Sequence, residues 1–361
     1  MRKWGLAPEP RAPPGRAAHG TRPARVAPSR IVKPLTVLEF IRDQEGVWTL
    51  PARLIADLAL RHPGVRFESP SSRAAAERLL PGADVVYGVL VDAENFHLAR
   101  RLRWIHVSSA GVGSLIFPAL AESEVVLTNG RGLHAVSMAE HALGLMLAFA
   151  RKLHLARDLQ RERRWEQVGL WTEPPPFGQL AGGTLGLVGL GAVGSALAER
   201  AVALGLRVIA VRPHPARDPR PAHEQWGLAR LPELLERADW VVLAAPHTDA
   251  TRGLIGAAEL ARMRPGAVLV NLGRGALVDE PALVTALRAG LIAGAALDVV
   301  RGEPLAADSP LWDLPNVILT PHVSGLGPGY WERAVEQFAG NLECFLAGRP
   351  LLNVVDKRVG Y

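Results

Sequence analysis

The segment Leu187–Gly194 reads LVGLGAVG and lies in the second half of a chain of 361 residues. A short apolar run, Thr184 to Val188, leads into Gly189-x-Gly191-x-x-Gly194, and a helical pattern continues from Val193 to Leu204. That strand–turn–helix frame is what a dinucleotide phosphate needs. The first glycine makes the tight turn, the second lets backbone N–H groups approach a pyrophosphate, and the third lets helix pack on strand. Gly makes up 36 of 361 residues, so three in this frame arise by chance roughly 0.4 times, and the flanking strand and helix carry the weight. Gly189, Leu190, Gly191, Ala192, Val193 and Gly194 are therefore the residues expected against a dinucleotide cofactor. Their late position requires another unit to fold ahead of them.

A chain of this length is too large for one small core. Strand-like and helix-like segments alternate in two series. The first series has strands near Leu35–Phe40, Val65–Glu68, Asp84–Tyr87, Trp104–Val107 and Val125–Thr128, with helical patterns at Ala52–Arg61 and Ala74–Leu80. The second has strands near Thr184–Val188, Arg207–Val211, Trp240–Ala244, Ala267–Asn271, Gly294–Asp298 and Val317–Thr320. Helices near Leu231–Arg237, Ala257–Arg262 and Glu280–Ala289 separate several of these. Such alternation predicts parallel sheets with right-handed crossovers, hence two doubly wound α/β domains. One long helical stretch from Ser137 to about Arg157 is expected to link them, and a last helix, Trp331 to Ala347, follows the second series.

Charge is unevenly placed. The net charge is +6, but residues 1–33 hold eight of the 41 basic residues and one of the 35 acidic ones, leaving 33 basic against 34 acidic groups in the rest. The body is thus near neutral, which gives no reason to expect a nucleic-acid surface. The tail, rich in Pro, Arg and Ala, is expected to be disordered. No apolar run approaches the roughly 18 residues that span a membrane, so neither a membrane nor a nucleic acid is expected as a partner, and a cytoplasmic location is. A single cysteine, Cys344, allows no intrachain disulfide and no metal cluster, and its apolar neighbours point to packing.

Ligands of open α/β sheets sit beyond the carboxyl ends of the strands. Several polar residues of the second series fall there: Arg212 after the second strand, Arg274 in Asn271-Leu272-Gly273-Arg274-Gly275, Asp298 and Glu303 after the fifth, and His322 after the sixth. Alone, an Arg after a strand is usually solvated, a Glu before Pro caps a loop, and a His is structural. In one sheet with the fingerprint they converge on the reactive end of a cleft. Arg212 stands where NAD-binding folds carry an acid for the ribose hydroxyls; a guanidinium there instead suits a ribose phosphate, with His214 and Arg217 close in sequence. The expected cofactor is therefore NADP(H) in preference to NAD(H).

The segments GLGAVG, NLGRG, LDVVRGEP and TPHVSG together resemble the D-isomer-specific 2-hydroxyacid dehydrogenases, a family that includes glyoxylate/hydroxypyruvate reductases, D-lactate dehydrogenases and phosphoglycerate dehydrogenases. The resemblance covers roughly residues 35–361 and includes LRWIHVSSAGV and AEHALGLMLAFAR. It implies a Rossmann dinucleotide domain (133–324) inserted into a flavodoxin-like substrate domain (34–132 and 325–361). It also implies a homodimer formed through the dinucleotide domains, with the Ser137–Arg157 helix and the arm after it, where Trp165, Trp171 and Pro174–Pro176 lie.

By the same resemblance His322 is the general acid for carbonyl reduction and Glu303 the carboxylate paired with it. Arg274 binds the substrate carboxylate and polarises the keto oxygen. Ala110 and Gly111 offer backbone N–H groups to that carboxylate, and Leu90 belongs to a substrate-facing loop. Asp298 holds the nicotinamide carboxamide, and Pro246, Thr251 and His322 join the cofactor site. Where the family often has an Asp two residues after Gly111 the chain has Gly113, which leaves that loop without its usual support. Formate dehydrogenases replace the dyad carboxylate with an amide, and Glu303 argues against them. The ending VVDKRVGY leaves no expected room for the regulatory domain of many phosphoglycerate dehydrogenases. D-lactate dehydrogenases often carry an aromatic residue three positions after the His; Gly325 stands there, which favours glyoxylate and hydroxypyruvate as substrates. A catalytically silent regulator on the same scaffold is the alternative from another functional class, and a turnover assay separates the two.

Overall fold

The computed structural model describes residues 34–42 and 48–360; the basic tail expected to be disordered lies outside the described residues. Strands and helices alternate from the start: β1 (Leu35–Phe40), α1 (Ala52–Arg61), β2 (Val65–Glu68), α2 (Arg73–Leu79), β3 (Val85–Gly88), β4 (Trp104–His106), α3 (Pro118–Glu122) and β5 (Val126–Thr128). The five strands form one parallel sheet in the order β2-β1-β3-β4-β5. Three helices follow, α4 (Ala135–Ala150), α5 (Leu153–Arg161) and α6 (Gln167–Thr172). Then come β6 (Thr184–Val188), α7 (Ala192–Ala203), β7 (Arg207–Val211), β8 (Glu224–Trp226), α8 (Leu231–Arg237) and β9 (Trp240–Leu243). The series closes with α9 (Ala257–Leu260), β10 (Val268–Asn271), α10 (Glu280–Arg288), β11 (Gly294–Leu297), β12 (Val317–Leu319) and α11 (Tyr330–Leu346). Its seven strands make a second parallel sheet, β12-β11-β10-β9-β6-β7-β8.

Both sheets are covered on both faces, which is why their central strands read as unbroken apolar runs. In β9 (WVVL) and β10 (VLVN) every residue is buried. Val241, Leu243 and Leu269 pack with Leu234 of α8 and Leu283 of α10 on one face, while Val242 and Val270 meet Met146 of α4 and Leu197 of α7 on the other. The chain returns to the first sheet at its end. Val335, Phe338, Ala339, Leu342 and Phe345 of α11 form a helical stripe against it. Phe338 stacks parallel on Tyr87 at 4.2 Å and lies 5.1 Å from Trp104, so Phe338→Ala should cost roughly 3–5 kcal/mol. The second sheet is thus inserted between β5 and α11.

The single helix expected from Ser137 to Arg157 is two. Lys152 breaks it with a left-handed φ of 51°. Its side chain is buried, and Nζ donates to the carbonyls of Leu170 (2.7 Å) and Glu173 at the end of α6. An ammonium taken out of water needs acceptors, and a helix C-terminus has spare carbonyls to give. Three short elements also escaped the sequence reading, α6 in the arm among them. β8 is polar and only three residues long, but Trp226 packs under Arg230, with the guanidinium 3.7 Å from the ring centroid. α3 is a five-residue turn started by Pro118. Among the described residues no helix is long and apolar enough to cross a membrane.

Candidate active site

The fingerprint turn follows β6 directly. Gly189 has φ +100°, and a Cβ there would stand 2.8 Å from the carbonyl oxygen of Ala244; a Cβ on Gly194 would stand 2.2 Å from the carbonyl oxygen of Gly189. Both positions therefore exclude a side chain. Gly191, at the N-terminus of the 12-residue α7, has no protein atom within 4 Å of where its Cβ would be. The open space at a helix start fits an anionic diphosphate, with Ala192 exposed beside it. Leu190 is buried and supports the turn from inside, and Val193 is half-buried. Arg212, at the end of β7, reaches back over this turn and donates from Nη1 to the Leu190 carbonyl at 3.4 Å. His214 and Arg217 are exposed beyond it. Pro246 is exposed after β9; the Thr251 hydroxyl donates to its carbonyl at 2.7 Å and accepts from the Thr248 amide, folding that loop on itself.

On the first sheet the loop after β4 carries Ala110 and Gly111, both exposed. Asn129 Nδ2 donates to the Ala110 carbonyl at 2.7 Å, and the Gly130 amide donates to the Ser109 carbonyl at 2.8 Å. The support that Gly113 cannot give thus comes from the segment after β5. The amides of Ala110 and Gly111 have no acceptor among the described residues. The Arg274 guanidinium comes across from the second sheet: a Cβ on Gly111 would stand 1.9 Å from its Nη2, and Nη1 donates to the Gly273 carbonyl at 2.6 Å. Asn271 at the end of β10 holds this turn by donating to the Arg274 carbonyl at 3.0 Å. Leu90, expected to face substrate, is 1% exposed with its side chain in the core of the first sheet; the exposed side chain of that loop is Val89.

His322 and Glu303 meet. Nδ1 of His322 lies 2.6 Å from Oε2 of Glu303, and the two side chains are 50% and 38% exposed, so Nε2 is left for a ligand. His322 adopts a left-handed φ of 54°, a conformation that costs energy outside glycine and is kept only where the surroundings enforce it. Asp298 supplies that enforcement. Its carbonyl accepts the His322 amide at 2.9 Å. Its carboxylate, expected toward the nicotinamide, is turned into the His322 loop: Oδ1 accepts from Thr320 Oγ1 (2.6 Å) and the Val323 amide (3.0 Å), and Oδ2 from the Ser324 amide (3.1 Å). Burial pushes this carboxyl up, but the hydrogen bonds from Ser324, Thr320 and Val323 outweigh it and hold it below the ordinary aspartate value. His141 of α4 completes the network, with Nε2 3.0 Å from Thr320 Oγ1. Asn129, Asn271 and His141 were not picked out from sequence. Each is a polar residue beside a glycine-rich loop or on an apolar helix, a signal too common to stand out alone.

Among the described residues no group of His, Cys, Asp and Glu is arranged to hold a metal. Two sheets thus bring together the exposed amides of Ala110 and Gly111 with the Arg274 guanidinium against them, the contact between His322 and Glu303, and the glycine turn Gly189–Gly194. Known proteins resemble the chain in sequence and fold. Residues 143–324 match the family model described as D-isomer specific 2-hydroxyacid dehydrogenase, NAD binding domain. The glyoxylate reductase of Korarchaeum cryptofilum is 34% identical over 298 residues, covering 81% of this chain and 88% of that protein. The D-3-phosphoglycerate dehydrogenase of Archaeoglobus fulgidus is 38% identical over 239 residues; that match covers 65% of this chain but only 43% of the longer relative. Among solved structures, the NADPH-dependent glyoxylate/hydroxypyruvate reductase of Sinorhizobium meliloti, in complex with NADP and sulfate, superposes with a TM-score of 0.74 at 26% identity, covering 91% of this chain and 100% of that one. The chain belongs to the D-isomer specific 2-hydroxyacid dehydrogenase family, NAD(P)-dependent oxidoreductases that act on the CH–OH group of 2-hydroxy acids.

Proposed function

We propose that this protein reduces short 2-oxo acids, glyoxylate and hydroxypyruvate first among them, to D-2-hydroxy acids, with NADPH preferred over NADH. The observation that carries this reading is the His322–Glu303 contact of 2.6 Å in the same cleft as an Arg274 guanidinium laid against Gly111. The Ala110 and Gly111 amides and Arg274 take the substrate carboxylate, a planar anion that suits a guanidinium fork. Arg274 also stabilises negative charge as it develops on the keto oxygen. The nicotinamide, when bound, supplies the hydride. His322 gives a proton from Nε2 to the keto oxygen, and Glu303 holds the ring through Nδ1 and balances its charge. In the reverse direction His322 accepts that proton. Asp298, Thr320 and His141 keep the His322 loop in place.

The cofactor preference rests on Arg212. Its guanidinium at the end of β7 is a fixed cation where a ribose phosphate would lie, and the similar Sinorhizobium meliloti reductase is in complex with NADP. Assembly as a homodimer rests on the arm after α5. Trp165, Val168 and Trp171 are 97%, 69% and 73% exposed, an apolar group costly to leave in water on a lone chain. The deciding experiment is a set of initial rates over a panel of 2-oxo acids with each cofactor. Turnover of glyoxylate or hydroxypyruvate supports the proposal; no turnover of any 2-oxo acid overturns it.

A further inference from the structure

His134 stands between the two loops that carry Gly111 and His322, and none of the roles above uses it. Its Nδ1 lies 2.9 Å from the carbonyl oxygen of Gly325, three residues after His322. A carbonyl only accepts, so Nδ1 carries the proton in that contact. One ring face stacks on Tyr330 at 5.0 Å, and the Tyr330 hydroxyl donates to the carbonyl of Ser108, two residues before Ala110. The ring is thereby tied directly to the His322 loop and, through Tyr330, to the loop after β4. Burial holds His134 below the ordinary histidine value despite the Gly325 bond, and the positive charges of Arg333 and Arg274 push the same way. With the proton on Nδ1 in the neutral ring, the form that this burial favours, Nε2, which has no partner among the described residues, is a lone-pair acceptor. Gly325 is what makes room: a Cβ there would stand 2.8 Å from Nδ1 of His134.

The substrate's carboxylate is taken at Gly111 and Arg274, and its keto oxygen at His322. The third substituent of the keto carbon is left with the wall between those two loops. We infer that His134 is a specificity-determining residue that selects 2-oxo acids bearing a hydroxyl group next to the keto carbon, accepting that hydroxyl's hydrogen bond at Nε2. The inference rests on the reading of the site given above and adds to it the chemistry of the side-chain pocket. A site built to hydrogen-bond a substrate hydroxyl discriminates against the analogue that lacks it, because its own polar group is then left unpaired. Glyoxylate has no third substituent beyond hydrogen, so it serves as the internal reference.

The test uses the full chain and NADPH, with kcat/KM measured for hydroxypyruvate and for glyoxylate in the unmutated protein and in two variants. His134→Phe keeps the ring stacked on Tyr330 and removes both nitrogens. Gly325→Ala leaves His134 in the sequence but drives a methyl group into its ring. In each, the hydroxypyruvate-to-glyoxylate ratio should fall by at least about tenfold. If one variant fails to fold, the other decides. A ratio within threefold of the unmutated protein's in a variant that keeps its melting temperature overturns the inference. An unmutated chain that reduces glyoxylate but not hydroxypyruvate overturns the role of His134 alone. A chain that reduces neither also overturns the role of His134, and one that reduces no 2-oxo acid at all overturns the underlying reading as well.

Discussion

The carbonyl of Asp298 accepts the backbone amide of His322 at 2.9 Å, and the Asp298 carboxylate then takes the next two amides, those of Val323 and Ser324. His322, the general acid of the proposed reaction, is thus held in its left-handed conformation by one buried residue from the end of the neighbouring strand. Asp298→Asn keeps the shape but turns an amide NH₂ toward groups that all donate. A buried hydrogen bond to a charged group is worth about 1.5–3 kcal/mol, so a stability loss of about 2 kcal/mol is expected, with kcat reduced at least about tenfold. The sign with pH is fixed by the depressed carboxyl. Its contribution is present above the ordinary aspartate value and is lost as pH falls through the lower folded value. Denaturant unfolding should show a constant gap between the two proteins from about pH 5 to 8 that closes below about pH 4.

Removal of the acid itself should be more severe. His322→Ala is expected to lower kcat by at least about 100-fold with cofactor affinity retained. Glu303→Gln, which keeps a hydrogen-bond acceptor for Nδ1 but not the charge, should fall between the two. Steady-state rates together with a fluorescence titration of NADPH check both; near-normal turnover in the His322 variant would sink the assignment.

The proposed cofactor preference turns on the Arg212 guanidinium. The unmutated protein should prefer NADPH by at least about tenfold in kcat/KM, a difference of roughly 1.4 kcal/mol, and Arg212→Asp should reverse it. Equal efficiency with the two cofactors before mutation rules the proposal out.

Association is readable by light scattering. The chain should run as a dimer at micromolar concentration, and a paired Trp165→Glu and Trp171→Glu change should give monomers that still fold. A monomer in the unmutated protein contradicts the homodimer.

A pH effect of another kind lies in the first sheet. His106 is fully buried beside Tyr87 and Trp104, and burial depresses it to about 3. The neutral ring contributes stability that is fully present above the unfolded value near 6.5 and is lost as pH falls toward the folded one. Between roughly pH 6 and 4 the unmutated protein should lose about 1.4 kcal/mol per pH unit through this group. The slope should be smaller by that amount in His106→Leu, the rest coming from other buried histidines such as His134, and an equal slope in both proteins would refute the account.

Much of this architecture was legible from residue order. The fingerprint, the two βα series and the His, Glu and Arg at successive strand ends all follow from short-range patterns, and the structure brings those side chains to one cleft. Contacts between distant segments were not legible. The break at Lys152 depends on carbonyls about 20 residues away, and Asn129 supports Ala110 only because β4 and β5 pair. Leu90 lies two residues beyond the fully buried β3, where the chain turns, and a one-residue offset separates its buried side chain from exposed Val89. Asp298 was visible as an acid at a strand end, but the direction of its carboxylate depends on the fold of the loop 22–26 residues later.

The chain crosses between its two sheets twice, once from Asn129 to His134 and once from Thr320 to Gly329, and the crossings are tied together by the His134–Gly325 contact and the His134–Tyr330 stack. Two joined crossings behave as a pair of hinge pins rather than a tether. The halves can rotate about the line they define but cannot twist or slide freely, so most relative orientations are removed before any ligand arrives. Closing on a small anion then requires an adjustment along one coordinate, a cost that a few hydrogen bonds from a small 2-oxo acid can meet.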